Sequence, residues 1–340
     1  MLLTAIWAIL IFCFLIFIHE FGHFFTAKLS GMTVHEFSIG MGPKLFGFKK
    51  RETLYSLRIL PLGGFVKLEG EDGESADSNA FCNKSAMKRF FVLFAGAFMN
   101  VIFGFLIFVV IFTSASSVAT NNVGEVAFNS AFYDAGIKPG DKIIHIKGDK
   151  LSTGVHSFRD VSFFISINGA AKAEFTFERN GDEFKKFITP RPLKDGENPV
   201  FGLTASVEKV SFFSALSLAL WECIFVIKSV FLSLWWLISG AIPMNAMSGP
   251  VAIVGEIGTA AKYGWQSVLN LAGFISVNLG VMNLLPIPAL DGGRILFLII
   301  EKIRGKKMNP EREGMVNFIF FAFLILLMLF VTLSDIKKLF

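Results

Sequence analysis

From Phe91 to Phe112 the chain carries no charged residue, and Trp265–Leu290 and Met315–Leu333 are equally free of charge. A helix needs about 20 mostly apolar residues to cross a bilayer. In lipid every backbone N–H and C=O must be satisfied internally, so such runs fold as helices. Leu3–Ala27 is a fourth run of this length, interrupted only by His19, Glu20 and His23. The 340 residues are 53% hydrophobic and 17% charged, with a mean hydropathy of +0.60. A soluble domain carries about a quarter charged residues, so the expected fold is a polytopic α-helical membrane protein with four transmembrane helices. The 41 phenylalanines suit lipid-facing surface. The first run lacks a basic leader and a small-residue cleavage site, so it reads as mature protein and not as a signal peptide.

Charge sets the orientation. The segment from Lys28 to Arg89 carries Lys44, Lys49, Lys50, Arg51, Arg58, Lys67, Lys84 and Lys88. A later one carries Arg294, Lys302, Arg304, Lys306, Lys307 and Arg312. The positive-inside rule puts both in the cytoplasm. The net charge of +5 is spent on orientation, and no nucleic-acid partner is expected. The N-terminus and the segment from about 113 to 210 are then outside. Residues 212–239 are apolar but contain Glu222 and Lys228, and Gly240, Pro243, Gly249 and Pro250 follow. A further span there would force 294–312 outside, so 210–262 reads as helices on the membrane surface, with a five-span arrangement as the alternative. Cys13, Cys82 and Cys223 are too far apart to suggest a disulfide framework.

The domain plan follows. Residues 1–30 hold the first transmembrane helix and 31–89 a cytoplasmic, membrane-associated β-rich loop, whose Gly-rich alternation in "HEFSIGMGPKLFGF" and "TLYSLRILPLGGFVKLEG" predicts hairpins. Residues 90–113 are the second helix and 121–205 a compact outer domain. Residues 263–293 are the third helix and 314–334 the fourth. In the outer domain a short helix ends at Gly136, a turn follows at Pro139–Asp141, and strands run over 142–146, 172–179 and 183–189. Asn180–Gly181 between the last two is a strong hairpin signal. The AGIKPGDKIIHIKG run resembles a PDZ domain, which binds an extended peptide by strand addition. A plain spacer domain is the alternative.

The chemistry sits where the first run ends. His19 and His23 are four residues apart, so on a helix both imidazoles face one point and can bind one metal ion. Glu20 lies beside them without being a ligand, as the general base does in the H-E-x-x-H zinc hydrolases. Ionisable groups inside a span are costly, and three at this spacing point to function. A catalytic zinc site has three protein ligands and an open position. Asp291 closes the uncharged third run at the cytoplasmic depth where HEFGH closes the first, so it is the expected third ligand. Pro286 and Pro288 break the helix just before it.

HEFGH, the LDGG of residues 290–293 and an outer PDZ domain together resemble the site-2 protease family of intramembrane zinc metalloproteases. "SGPVAI", "SVNLG" and "GGFVKLEGE" look like its bacterial RseP branch, the regulator of sigma-E proteases. Members of that branch with two tandem PDZ domains differ from this chain, which has room for one. The resemblance implies that His19, His23 and Asp291 bind Zn2+, that Glu20 is the catalytic base, and that Asn278 and Asn283 help hold substrate. Interhelical hydrogen bonding is the other reading of the two asparagines. Unwinding a substrate helix frees backbone groups that need new partners. An exposed strand edge in Leu54–Leu68, with Gly63 and Gly64 allowing close approach, would supply them. The expected partners are single-span membrane proteins of the anti-sigma-factor type or signal-peptide remnants, together with membrane lipids. The expected location is a bacterial inner membrane with the PDZ domain in the periplasm, where it would exclude substrates with large outer domains. The alternatives are a metal transporter, which would need polar groups at several depths, and an inactive PDZ scaffold.

Overall fold

The structure is a computed structural model that describes residues 2–71, 73–191, 201–243, 248–306 and 308–339. The chain divides into two compact units, Met1–Phe108 with Val226–Phe340, and Val109–Phe225.

In the first unit α1 spans Leu2–Leu29. It ends at Gly31, whose φ of 68° is left-handed. Met32 N–H then donates to Ala27 O at 3.0 Å and Gly31 N–H to Lys28 O at 3.1 Å. These are the paired bonds of a Schellman cap, sealed by contact between buried Met32 and Ala27. The cap turns the chain into β1 (Val34–Lys50) and β2 (Thr53–Leu68). The hairpins expected in 31–89 are present, as one long folded pair. Residues 54–57 pair with 36–39 on one side and with 46–49 on the other, while 64–67 pair with the far side of 36–39. The sheet is therefore four segments wide. The segment 64–68 forms one edge, and no strand among the described residues pairs with its outer side. Met41, Leu45, Phe46, Phe48 and Leu60 at the far tip are exposed and form an apolar surface.

The next helix, α2 (Ala86–Ser114), buries one face: Val92, Gly96, Asn100, Gly104, Ile107 and Phe108. The second unit holds β3 (Ser117–Val126), α3 (Ala131–Asp134), β4 (Lys142–Lys147), β5 (Ser152–Gly154), α4 (Phe158–Asn168), β6 (Ala173–Arg179), β7 (Asp182–Ile188) and β8 (Leu203–Lys209). The sheet order is β7-β6-β4-β3-β8, with β5 added to β4. Asn180 and Gly181 both have positive φ, 56° and 92°, the turn that the Asn-Gly pair signals. Ile143, Ile146, Phe164, Phe175 and Phe177 fill the core. The part of the expected 121–205 domain at 192–200 lies outside the described residues.

The helix α5 runs unbroken from Phe212 to Ile238. Its first half packs on α4: Trp221 stacks on His156 with centroids 3.5 Å apart, Phe225 meets Phe163, and Glu222 pairs with Arg159. After it come α6 (Pro250–Lys262), α7 (Trp265–Asn283), α8 (Asp291–Arg304) and α9 (Pro310–Leu339). Among the described residues four helices are long and apolar enough to cross a membrane: Thr4–Leu29, Ala86–Ser114, Phe212–Ile238 and Pro310–Lys338. Three coincide with expected spans. The fourth corrects the sequence reading. Residues 263–293 do not form one helix, because α7 stops at Asn283 before Pro286 and Pro288, and α8 starts anew at Asp291. Proline has no N–H to continue the ladder, and Gln266, Asn270, Asn278 and Asn283 dilute the apolar character of α7. Conversely 212–238, expected to lie as surface helices, has the length and composition of a span, its Glu222 offset by Arg159. Of the irregular element expected at 243–250, residues 244–247 lie outside the described residues. At its end the α6 N-terminus is capped across the fold, Ala252 N–H donating to Asp335 Oδ2 at 3.0 Å.

Small residues set the contact of α7 with α2. A Cβ at Gly280 would lie 2.7 Å from Ala97 O, and one at Gly104 would lie 2.5 Å from Val277 Cγ2. Ser276 Oγ donates to Asn100 O at 2.7 Å.

One carboxylate holds the second unit's loop to its sheet. Asp141 is 1% exposed. It accepts from Arg179 Nε at 2.5 Å and Nη2 at 2.7 Å, and from Lys138 N–H at 2.8 Å. Burial pushes its pKa up, but the guanidinium and the N–H outweigh burial and hold it below the usual carboxylate range. The charged form is thus favoured in the folded state, so the contribution is complete above the unfolded value and is lost as pH falls through the folded one. Asp141→Asn is expected to cost on the order of 2 kcal/mol at neutral pH, below a fully buried pair because Arg179 stays partly exposed. In thermal denaturation of the detergent-solubilised chain the gap between wild type and variant should close as the solution is acidified. A gap that persists in acid contradicts this account.

Candidate metal centre

His19 and His23 face the same side of α1, as their spacing requires. Their Nε2 atoms are 3.2 Å apart. Asp291 Oδ2 lies 3.2 Å from His19 Nε2 and 3.3 Å from His23 Nε2. Among the described residues these three are the one group of at least three His, Cys, Asp or Glu side chains placed to hold a metal ion. His23 Nδ1 donates to Val92 O at 2.8 Å, which places the ring hydrogen on Nδ1 and leaves Nε2 a bare lone pair. Asp291 Oδ2 is buried and accepts no hydrogen bond among the described residues. Two imidazole nitrogens and a carboxylate oxygen thus converge on one point. An ion with ligands tetrahedrally at about 2.0–2.1 Å separates them by about 3.3–3.4 Å, so the donor set fits zinc in both chemistry and spacing.

Backbone detail explains how Asp291 gets there. The turn 284–290 folds back on the first residues of α8. A Cβ at Gly292 would lie 2.1 Å from Leu285 O, and one at Gly293 would lie 2.3 Å from Ile287 O. No side chain fits at either position, which is the physical content of LDGG. Ala289 takes a φ of 74°, and its N–H donates to Asn317 Oδ1 on α9 at 3.0 Å.

The cluster opens on a cavity of about 190 Å³, also lined by Glu20, Phe65, Val66 and Glu71. Glu71 pairs with Arg294 there. Gly64 brings β2 against Glu20, since a Cβ there would lie 3.0 Å from Glu20 Cγ. Gly63, at φ 92°, packs on Met41 instead. Asn278 is not among the residues around the cluster. It lines a separate apolar cavity of about 710 Å³ with residues of α1, α5, α6 and α7. Asn283, the last residue of α7, is half-buried and does not line the cluster's cavity.

Four contributors have roles that their motifs do not reveal. Glu71 closes the GGFVKLEGE run, and Arg294 reads as a topogenic charge. Gly22 and Gly96 let α1 and α2 touch: a Cβ at Gly22 would lie 2.4 Å from Ala95 O, and one at Gly96 would lie 2.2 Å from His23 Nε2. Gly96→Ala should therefore push His23 off its position and weaken metal binding by about tenfold or more. Metal titration of the purified variant checks this, and unchanged affinity would contradict the stated contact.

The sequence matches the model of peptidase family M50 over residues 7–327. It is 40% identical over 330 residues to a provisionally named zinc metalloprotease of Clostridium acetobutylicum, covering 97% of this chain and 96% of that one. It is 32% identical to the zinc metalloprotease RasP of Bacillus licheniformis, with 99% of each chain covered. It is also 32% identical to the regulator of sigma-W protease RasP of Bacillus subtilis, again with 99% of each covered. The chain belongs to peptidase family M50, and it is an intramembrane zinc metalloprotease of the site-2 type.

Proposed function

We propose that His19, His23 and Asp291 hold the catalytic zinc, that Glu20 is the general base, and that the enzyme cuts single-span membrane proteins, anti-sigma-factor-like chains or signal-peptide remnants, in or near their transmembrane helices. The observation that carries the reading is the convergence of three ligand atoms 3.2–3.3 Å apart in a cavity that Glu20 also lines. Bound zinc supplies a water of pKa about 7 and polarises the scissile carbonyl. Glu20 takes the proton from the attacking water on its carboxylate and returns it to the departing amine.

The edge segment 64–68 carries the substrate. Cleavage requires a few residues of the substrate helix to be extended, and their N–H and C=O groups must be paired again. An unpaired strand edge does this by strand addition. Phe65 and Val66 line the cluster's cavity, so a strand added there runs past the ligands. Gly64 allows the backbone to approach Glu20. The family role suggested for Asn278 and Asn283 has weaker support, because neither lines that cavity.

The site also supports an orientation. Because the end of α1 meets the start of α8, the basic segments that follow each helix share one membrane face, whatever α5 does. By the positive-inside rule that face is cytoplasmic. The second unit is then extracytoplasmic. Its strand order, its Asn180–Gly181 hairpin and the helix α4 support the reading as a PDZ domain, with β8 an edge strand open to an extended peptide. In that position it filters substrates by the size of their outer domains.

Two measurements test the proposal. Glu20→Gln should retain zinc while cleavage of a single-span model substrate in detergent falls by about 10²–10⁴-fold. In a chain cleared of its native cysteines and carrying that substitution, Val66→Cys should form a disulfide with a cysteine placed beside the scissile bond. Wild-type cleavage by the Glu20 variant contradicts the base, and crosslinking only to positions remote from the scissile bond contradicts the strand edge.

A further inference from the structure

His23 and His19 are treated differently on their far sides. His23 Nδ1 donates to a backbone carbonyl, Val92 O. His19 Nδ1 faces the side chain of Asn100, whose Nδ2 stands 3.4 Å away. Asn100 is fully buried in the apolar run of α2, and its Oδ1 has no hydrogen-bond partner among the described residues.

That orientation is chemically wrong for a metal ligand. An imidazole that ligates through Nε2 carries its hydrogen on Nδ1. Nδ1–H against an amide NH2 sets donor against donor, while an acceptor on the same side chain goes unused. Nitrogen and oxygen of an amide are nearly isosteric, and their assignment follows the hydrogen-bond network. Turning the amide about its last bond presents Oδ1 to Nδ1–H. Turning the amide breaks no hydrogen bond of Oδ1, which has none among the described residues. The backbone under the side chain is fixed independently. Asn100 O accepts from Ser276 Oγ at 2.7 Å, and the helices touch at Gly280 and Ala97.

We propose that Asn100 is a positioning residue that accepts His19 Nδ1–H through Oδ1, fixing the ring's tautomer and aiming Nε2 at the metal, as the Val92 carbonyl does for His23. This rests on His19 being a zinc ligand. A polar side chain in an otherwise apolar helix is costly, and this role accounts for it. A buried carboxylate at the same position would serve equally as an acceptor, whereas alanine or leucine would not.

The test reads zinc affinity by competition with a chelator on the detergent-solubilised full chain, for wild type, His19→Ala, Asn100→Ala, Asn100→Leu and Asn100→Asp. The expected result is an affinity loss of about 10–100-fold in Asn100→Ala and Asn100→Leu, with most of it restored in Asn100→Asp. A packing role alone would leave Asn100→Leu, which fills the space, close to wild type. Loss in His19→Ala with wild-type affinity in Asn100→Ala and Asn100→Leu overturns the proposal alone. Affinity in Asn100→Asp no better than in Asn100→Ala also overturns it. Wild-type affinity in His19→Ala removes the zinc-ligand reading and this proposal with it.

Discussion

Two imidazole nitrogens and a carboxylate oxygen within 3.3 Å of one another repel unless a proton or a metal ion lies among them. Holding them there before the metal arrives is the constraint to which the surrounding structure answers. Val92 O fixes one ring, and Gly96 leaves room for it. Gly292 and Gly293 admit the folded-back turn that delivers Asp291. Each of these glycines has no side chain to pack, at a place where a methyl group would collide.

The same constraint gives the site its depth. An ionisable cluster is tolerable in a membrane helix only where protein or water surrounds it. Here the helix break at 284–290 and the hairpin edge at 64–68 surround it with irregular and strand backbone. The edge at 64–68 leaves backbone groups without a strand partner among the described residues, and the cluster's cavity lies beside it. Glu71 and Arg294 add an ion pair to that cavity, which keeps its wall polar.

Much of this was legible in the sequence because it rests on local periodicity. His19 and His23 share a face by helical spacing alone, Asn180–Gly181 names its own turn, and the alternation over 34–68 marks strands. Asp291 was legible by position, as the charge that ends an uncharged run. What escaped depends on pairs of residues distant in the chain. Gly96 is unremarked in an apolar helix until His23 is placed against it. Glu71 acquires meaning only from Arg294. The break before α8 was legible in Pro286 and Pro288, although the charge-free run as a whole has the length of a span. The reverse held for α5, where Glu222 read as an interruption because its partner Arg159 lies in another element. Local charge counting cannot see a pair that closes across the fold.

The central claim is that one zinc ion is held by two imidazole nitrogens and a carboxylate oxygen. X-ray absorption spectroscopy at the zinc edge of the purified, zinc-loaded chain tests it most directly. The account predicts one zinc per chain with nitrogen and oxygen neighbours only, at about 2.0–2.2 Å, and outer-shell scattering from two imidazoles. A sulfur neighbour at about 2.3 Å, or the scattering of fewer than two imidazoles, would contradict it.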